Sequence, residues 1–251
     1  MNPIIEAIYE TRRVTGASGE ERELQAEIDR EEGAFLHGII AGDDRVVRTL
    51  EVGCAYGLSS LHICHALTGR PGARHTIIDP FQRTQWDSVG LHNLQRAGVD
   101  FFELIEKRSE FALPEVLGRE DGEGAFDFVF VDGWHTFDHT LLDCFYATRL
   151  LRVGGYLVID DLVMPPVRRA ADYLAFYPCY EVHGVLGETS GVSLKRRVAR
   201  AALGTIPAAR RETLLHPEFA RTVFNDQHVA MIAFQKTAVD ERSWDWYPRG
   251  F

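Results

Sequence analysis

The chain has 251 residues, of which 45% are hydrophobic, 11% aromatic and 25% charged, a balance that buries a core and excludes collagen-like or disordered readings. Its 27 Lys and Arg against 37 Asp and Glu give a formal charge of -10, which argues against a generic binder of phosphate backbones. No apolar run is long enough to cross a bilayer, and the N-terminal MNPIIEAIYETRR has acids where an export signal has a basic and then an apolar stretch. Cys54, Cys64, Cys144 and Cys179 show no C-x-x-C spacing and read as reduced thiols, so the expectation is a soluble cytoplasmic protein of one domain spanning 1–251.

Residues 1–45 read as an N-terminal helical addition. Within them Glu20, Glu21, Glu23, Glu27, Asp29, Glu31 and Glu32 surround Leu24, Ile28, Phe35 and Leu36 at helix-compatible spacing, and this acidic run reads as a solvated helix face. From Val46 the rhythm changes to short β-branched runs alternating with amphipathic stretches, the pattern of βα units on a parallel sheet. Strands are expected at 47–52, 74–79, 101–106, 126–132 and 155–160, with helices at 57–68, 83–97, 109–117, 136–151 and 166–177. Right-handed crossovers then gather the loops after each strand along one edge of the sheet, where open α/β folds bind ligands.

After Pro178 the alternation lapses. Strands at 180–186 and 228–237 read as an antiparallel pair on the sheet edge, separated by an insertion or lid at 187–227. That insertion carries Lys195, Arg196, Arg197 and Arg200, which suit either a solvated face or an anion-binding one. The tail WDWYPRGF holds Trp244, Trp246, Tyr247 and Phe251, and so much apolar surface is expected to pack on the body or on a partner subunit. No internal repeat or low-complexity segment is present.

The strongest local signal is LEVGCAYGLSS, where a strand ends at Glu51-Val52-Gly53 and a helix begins near Gly57. Glycines there allow a tight turn and bring a ligand onto the backbone. The spacing is not the G-x-G-x-x-G of a dinucleotide site, and no Lys-Ser or Lys-Thr follows to make a P-loop. Asp79, at the tip of the next strand, can accept hydrogen bonds from ribose hydroxyls, so loop and acid together suggest a nucleoside site.

A second constellation is FDFVFVDGWHTFDH followed by GGYLVIDDL, which sets Asp132 just past one strand and Asp160 and Asp161 just past the next. Three converging carboxylates repel one another unless a cation neutralises them, and oxygen donors suit Mg²⁺, Mn²⁺ or Ca²⁺; the alternative is ordinary strand-end acids facing water. His135 and His139 have a zinc-like i, i+4 spacing but lack a third soft ligand, His62 and His65 read as packed, and Cys54 has no neighbouring base to activate it. Trp134 can floor or gate an acceptor pocket or serve as a structural aromatic.

From about Glu31 to Met164 the chain resembles class I S-adenosylmethionine-dependent O-methyltransferases, above all the metal-dependent catechol and caffeoyl-CoA type and its macrolide-sugar relatives. The resemblance rests on REEGAFLHGII, LEVGCAYG, Asp79, FDFVFVDG and LLRVGGYLVIDD, in order and spacing. It implies a Rossmann-like three-layer α/β sandwich with a seven-stranded, mainly parallel sheet. Glu51, Gly53 and Ser59 then look like contacts to the methionine end of the cofactor, Gly57 like a further cofactor-binding residue, Asp79 like the ribose ligand, and Ser109 like an adenine contact. Asp132, Asp160 and Asp161 match the metal triad, Asp132 also bordering the cofactor. The last of the three is Asn in catechol-type members and Asp in the sugar-modifying ones, which leans away from a catechol acceptor. His135 stands where the catechol type has Lys and some sugar methyltransferases have a catalytic His.

Methyl transfer from a sulfonium needs the acceptor oxygen held in line and stripped of its proton. A divalent cation orients two adjacent oxygens and acidifies a hydroxyl, and an imidazole titrating near neutrality suits the base. The expected activity is Mg²⁺-assisted O-methylation of a small molecule with neighbouring oxygens, such as a sugar or polyketide diol, without nucleic acid or membrane partners and compatible with a homodimer. The alternatives are a metal-independent O- or N-methyltransferase using His135, and a cofactor-binding protein without transfer activity.

Overall fold

The computed structural model describes residues 2–25, 28–119, 121–187 and 229–248. The basic cluster at 195–200, nearly all of the 187–227 insertion and Phe251 lie outside these residues.

The chain opens with α1 (Pro3–Thr11), whose start is set by Pro3 at the first position and by the Asn2 side chain accepting the Ile4 N–H at 2.9 Å. Arg12, at φ 56, ends the helix, and a hairpin follows with β1 (Arg13–Thr15) antiparallel to β2 (Glu21–Glu23). The helix expected through this stretch is thus corrected: Glu20, Glu21 and Glu23 belong to the hairpin. The physical reason is the Gly16-Ala17-Ser18-Gly19 turn, closed by Gly19 N–H to Gly16 O at 3.0 Å with Gly19 at φ +82. Helix resumes in α2 (Arg30–Ala41), started by a capping box in which Asp29 accepts the N–H groups of Glu31 and Glu32 while Glu32 accepts the Asp29 N–H at 2.7 Å.

The alternation then runs β3 (Arg48–Val52), α3 (Leu58–Leu67), β4 (Arg74–Ile78), α4 (Val89–Arg96), β5 (Phe102–Ile105), α5 (Ser109–Leu117), β6 (Phe126–Val131), α6 (Phe137–Leu150), β7 (Leu151–Ile159), α7 (Pro165–Leu174), β8 (Tyr180–Gly187) and β9 (Val229–Lys236). The seven strands lie in the order β5-β4-β3-β6-β7-β9-β8. β3 to β7 are parallel, and β9 pairs antiparallel with both β7 and β8. The antiparallel pair is as expected, with β9 inserted between β7 and β8 so that β8 forms the edge. Helix α4 is shorter than the expected 83–97, because Asp87 and Ser88 adopt left-handed backbone (φ 49 and 54) and break the helical path before Val89.

All six residues of β6 are buried, as befits a strand covered on both faces. Phe128 and Phe130 join the core under α1 to α4, while Val129 and Val131 join the core under α5 to α7. The sheet is thereby clamped between two apolar layers, and its strand ends become a fixed platform for the loops above them. Among the described residues no helix is long and apolar enough to cross a membrane.

Candidate active site

A cavity of about 960 Å³ opens above the carboxyl ends of the parallel strands, closed on one side by Gln25, Ile28 and Glu32 from the N-terminal segment. Gly53, Ser59, Asp79, Ser109, Asp132, His135, Asp160 and Asp161 all line it. Eight of the ten site residues read from the sequence are therefore brought to one space; Glu51 and Gly57 stand behind its wall.

The loop after β3 is tightly bent, with Gly53 at φ 89, Ala55 at φ 44 and Gly57 at φ 81. Gly53 is required twice over: its backbone is left-handed, and a Cβ there would overlap the carbonyl oxygen of Asp132. Asp79 locks this loop from the neighbouring strand end. Its Oδ2 accepts the N–H groups of Cys54 (3.1 Å) and Ala55 (2.9 Å) and the Gln82 amide (3.0 Å), while Oδ1 accepts the Phe81 N–H (2.8 Å). With one donor on Oδ1, Asp79 keeps spare acceptor capacity at a residue that lines the cavity, the capacity a ribose hydroxyl would use.

Glu51 is fully buried and accepts hydrogen bonds from the hydroxyls of Ser59 and Ser60. Ser59, which it holds, is 5% exposed on the cavity wall. Gly57 forms the left-handed start of α3, where a Cβ would lie 2.7 Å from the Gly90 Cα; its role is close packing of loop on helix.

Across the cavity, Asp132 follows β6 and is tied to β3 by its N–H to Val52 O at 2.9 Å. Asp160 and Asp161 follow β7, with the Asp161 N–H donating to Asp160 Oδ1 at 2.7 Å and Asp161 itself at φ 57. His135 Nε2 sits 3.2 Å from Asp132 Oδ1 and 2.9 Å from Asp161 Oδ2. Donor atoms of Asp132, His135 and Asp161 all lie within 4.8 Å of one another. Asp160 stands beside them, 7% exposed.

The electrostatics follow from this crowding. Burial pushes the Asp160 carboxyl well up, and the nearby charges of Asp132 and Glu32 add to the effect. Burial likewise raises Asp132, opposed by the hydrogen bond from His135. The hydrogen bonds to Asp132 and Asp161 push the His135 imidazole up to about 10. Glu32 is also raised, chiefly by burial and further by Asp161 and Asp132.

Glu32 is the residue that sequence reasoning missed. It sits in the acidic run read as a solvated helix face, yet it lines the cavity. The capping-box spacing Asp29-x-x-Glu32 marks the helix start, and only the docking of α2 turns this carboxylate toward the other acids. Trp134, 60% exposed, stands at the cavity mouth with Met164. His139 lines the cavity with Nδ1 turned to Thr136 Oγ1 at 2.8 Å and takes no part in the cluster around His135. His62 packs against the Tyr9 hydroxyl at 3.2 Å and His65 against His37. The Cys54 thiol is buried and pushed up by desolvation, which leaves it unreactive.

The strand order and a ligand cavity at the strand ends define a class I methyltransferase fold. Residues 50–162 match a family model described as a methyltransferase domain, so the resemblance read from the glycine loop and the acid pairs is borne out. Over 160 residues the chain is 31% identical to a caffeoyl-CoA O-methyltransferase of Pinus taeda, covering 59% of this chain and 57% of that protein. Over 166 residues it is 28% identical to catechol O-methyltransferase B of Danio rerio, covering 63% of this chain and 60% of that one. The chain thus spans somewhat more than half the length of these relatives. An O-methyltransferase from Bacillus cereus solved in complex with SAH superposes with a TM-score of 0.62 at 16% identity, over 94% of this chain and 92% of that chain.

Proposed function

We propose that this protein is an S-adenosylmethionine-dependent O-methyltransferase assisted by a divalent cation and acting on a small molecule with adjacent oxygens. The observation that carries the proposal is the convergence of Asp132, His135 and Asp161 donor atoms within 4.8 Å, beside buried Asp160, in the cavity that Gly53, Ser59, Asp79 and Ser109 also line. The likeness to the caffeoyl-CoA and catechol enzymes supports it.

The donor set fits a hard cation: three carboxylates and Glu32 face a space in which His135 is the basic group in contact with Asp132 and Asp161, an arrangement that a bound divalent ion relieves. Asp132, Asp160 and Asp161 would hold the metal. When bound, metal and cofactor supply a Lewis acid that orients and acidifies an acceptor hydroxyl and an electrophilic methyl group on sulfur. Asp79 would hold the ribose through Oδ1, Ser109 would border the adenine, and Ser59 would take the amino-acid end. His135, held protonated by Asp132 and Asp161 while these are free carboxylates, would become a base only once the two are engaged by the cation, and would then receive the acceptor proton at Nε2. Trp134 and Met164 at the mouth would exclude water from the reacting oxygen.

Calorimetric titration tests this reading. S-adenosylhomocysteine should bind the wild-type protein, and Mg²⁺ should then bind the saturated protein but not the Asp160→Ala variant. Cofactor binding without any response to Mg²⁺, Mn²⁺ or Ca²⁺ would overturn the metal, and absence of cofactor binding would overturn the methyltransferase assignment.

A further inference from the structure

Behind the Ser59 wall lies a hydrogen-bonded chain of buried polar side chains. His75, the second residue of β4, is fully buried, and its Nε2 lies 3.1 Å from Glu51 Oε2. Its Nδ1 lies 2.8 Å from the hydroxyl of Thr49, also fully buried on β3. The parallel register places Thr49 directly opposite His75 and Glu51 opposite Ile77, so the chain bridges two neighbouring strands. Glu51 then takes the hydroxyls of Ser59 on Oε1 and of Ser60 on Oε2.

Counting hydrogens fixes the polarity. A carboxylate offers only acceptors, so the His75 Nε2–H and both serine hydroxyls donate to Glu51. A serine hydroxyl has one hydrogen, and Ser59 commits it to Glu51. What Ser59 turns to the cavity is therefore lone pairs, which match an N–H donor such as an ammonium and repel a carboxylate. Ser59 alone could rotate and serve either; the buried Glu51 denies it that freedom, and His75 and Thr49 hold Glu51 in place.

We propose that His75 is a positioning residue for the amino-acid end of the cofactor, acting through Glu51 to keep Ser59 an acceptor for the α-ammonium. This rests on the cofactor reading above. No part of it requires His75 to touch the ligand, and the specificity it confers is for a nucleoside thioether or sulfonium carrying a protonated amine.

The test compares two ligands by calorimetry: S-adenosylhomocysteine, and 5′-methylthioadenosine, which has the same nucleoside and sulfur but no amino-acid end. His75→Phe should weaken S-adenosylhomocysteine about tenfold, the scale of one charge-assisted hydrogen bond, and leave 5′-methylthioadenosine within about twofold. His75→Gln, whose side-chain amide can still donate to Glu51, should recover most of the loss, and it keeps the test open should the Phe variant fail to fold. Ser59→Ala should show the same ligand-selective loss, with no further loss when His75→Phe is added. Equal weakening of both ligands, or none, in the folded His75 variants would overturn the proposal while leaving the cofactor reading intact. Wild-type protein that binds neither ligand would overturn the cofactor reading and this inference with it.

Discussion

Nε2 of His135, on the turn entering α6, lies 2.9 Å from Oδ2 of Asp161, the second residue past β7. Helix α6 and all of β7 separate the two in sequence, and the parallel pairing of β6 with β7 brings their ends together. Asp161→Ala should therefore lower Mg²⁺ affinity at least about tenfold and turnover by about 10²-fold or more, with S-adenosylhomocysteine affinity unchanged within about threefold. His135→Ala should lower turnover on the same scale while retaining Mg²⁺ binding. Calorimetry and a methyl-transfer assay separate the two outcomes.

Glu32 contributes negative charge to the cluster without being placed among the metal-holding residues. Glu32→Gln keeps a side chain that can accept the Asp29 N–H, so the start of α2 should persist and the melting temperature should not fall. Mg²⁺ affinity should drop about two- to tenfold, and more at low than at high ionic strength. An unchanged affinity would show that its charge is not felt at the metal.

Asp143, on α6, is 1% exposed, and the Ser109 side chain only partly offsets the burial of its carboxyl. Burial pushes its carboxyl up from the ordinary range to about 7. Between pH 4 and pH 7 the folded state keeps a proton that the unfolded state has lost, so this residue makes stability fall as pH rises through that window and then level off. Asp143→Asn should remove the fall, and the variant should gain on wild type by up to about 4 kcal/mol between pH 4 and pH 8. Urea denaturation at a series of pH values measures the difference.

Two left-handed glycines should respond differently to a methyl group. Gly53→Ala drives a Cβ into the Asp132 carbonyl and should cost more than about 3 kcal/mol together with cofactor binding. At Gly19, in the hairpin turn, nothing lies within 4 Å of the added atom, so Gly19→Ala should cost only about 1 kcal/mol. Thermal denaturation of the two variants distinguishes steric overlap from backbone strain.

Asp127, 6% exposed, accepts the N–H groups of Val47 (2.9 Å) and Arg48 (2.7 Å) and pairs with Arg152. It fastens the entry of β3, the strand that carries the glycine loop, to β6. Asp127→Ala should cost about 2–4 kcal/mol, because it leaves buried donors unpaired, with S-adenosylhomocysteine affinity little changed in the folded protein.

Much of this was legible in the sequence because strand and helix periods differ. The runs at 47–52, 126–132 and 155–160 are short and largely apolar between amphipathic helices, so the parallel sheet and the placing of Gly53, Asp79, Asp132, Asp160 and Asp161 at strand ends follow from pattern, although β7 begins four residues earlier than that pattern shows. Spacing fixes that an acid stands at a strand end; it says little about what its carboxylate meets across the sheet.

Those meetings depended on tertiary structure. Alternation along β3 turns Glu51 to the face where Ser59, Ser60 and His75 enclose it, and so keeps it out of the cavity. Docking of α2 turns Glu32 from an apparent surface acid into a cavity residue, and the Gly16–Gly19 turn makes a hairpin where acidic periodicity suggested helix. The sequence determined the order of elements because local periodicity and turn chemistry act over a few residues. The packing of distant segments decided which side chains share a charge, a proton or a wall, because such contacts join residues that the chain itself keeps far apart.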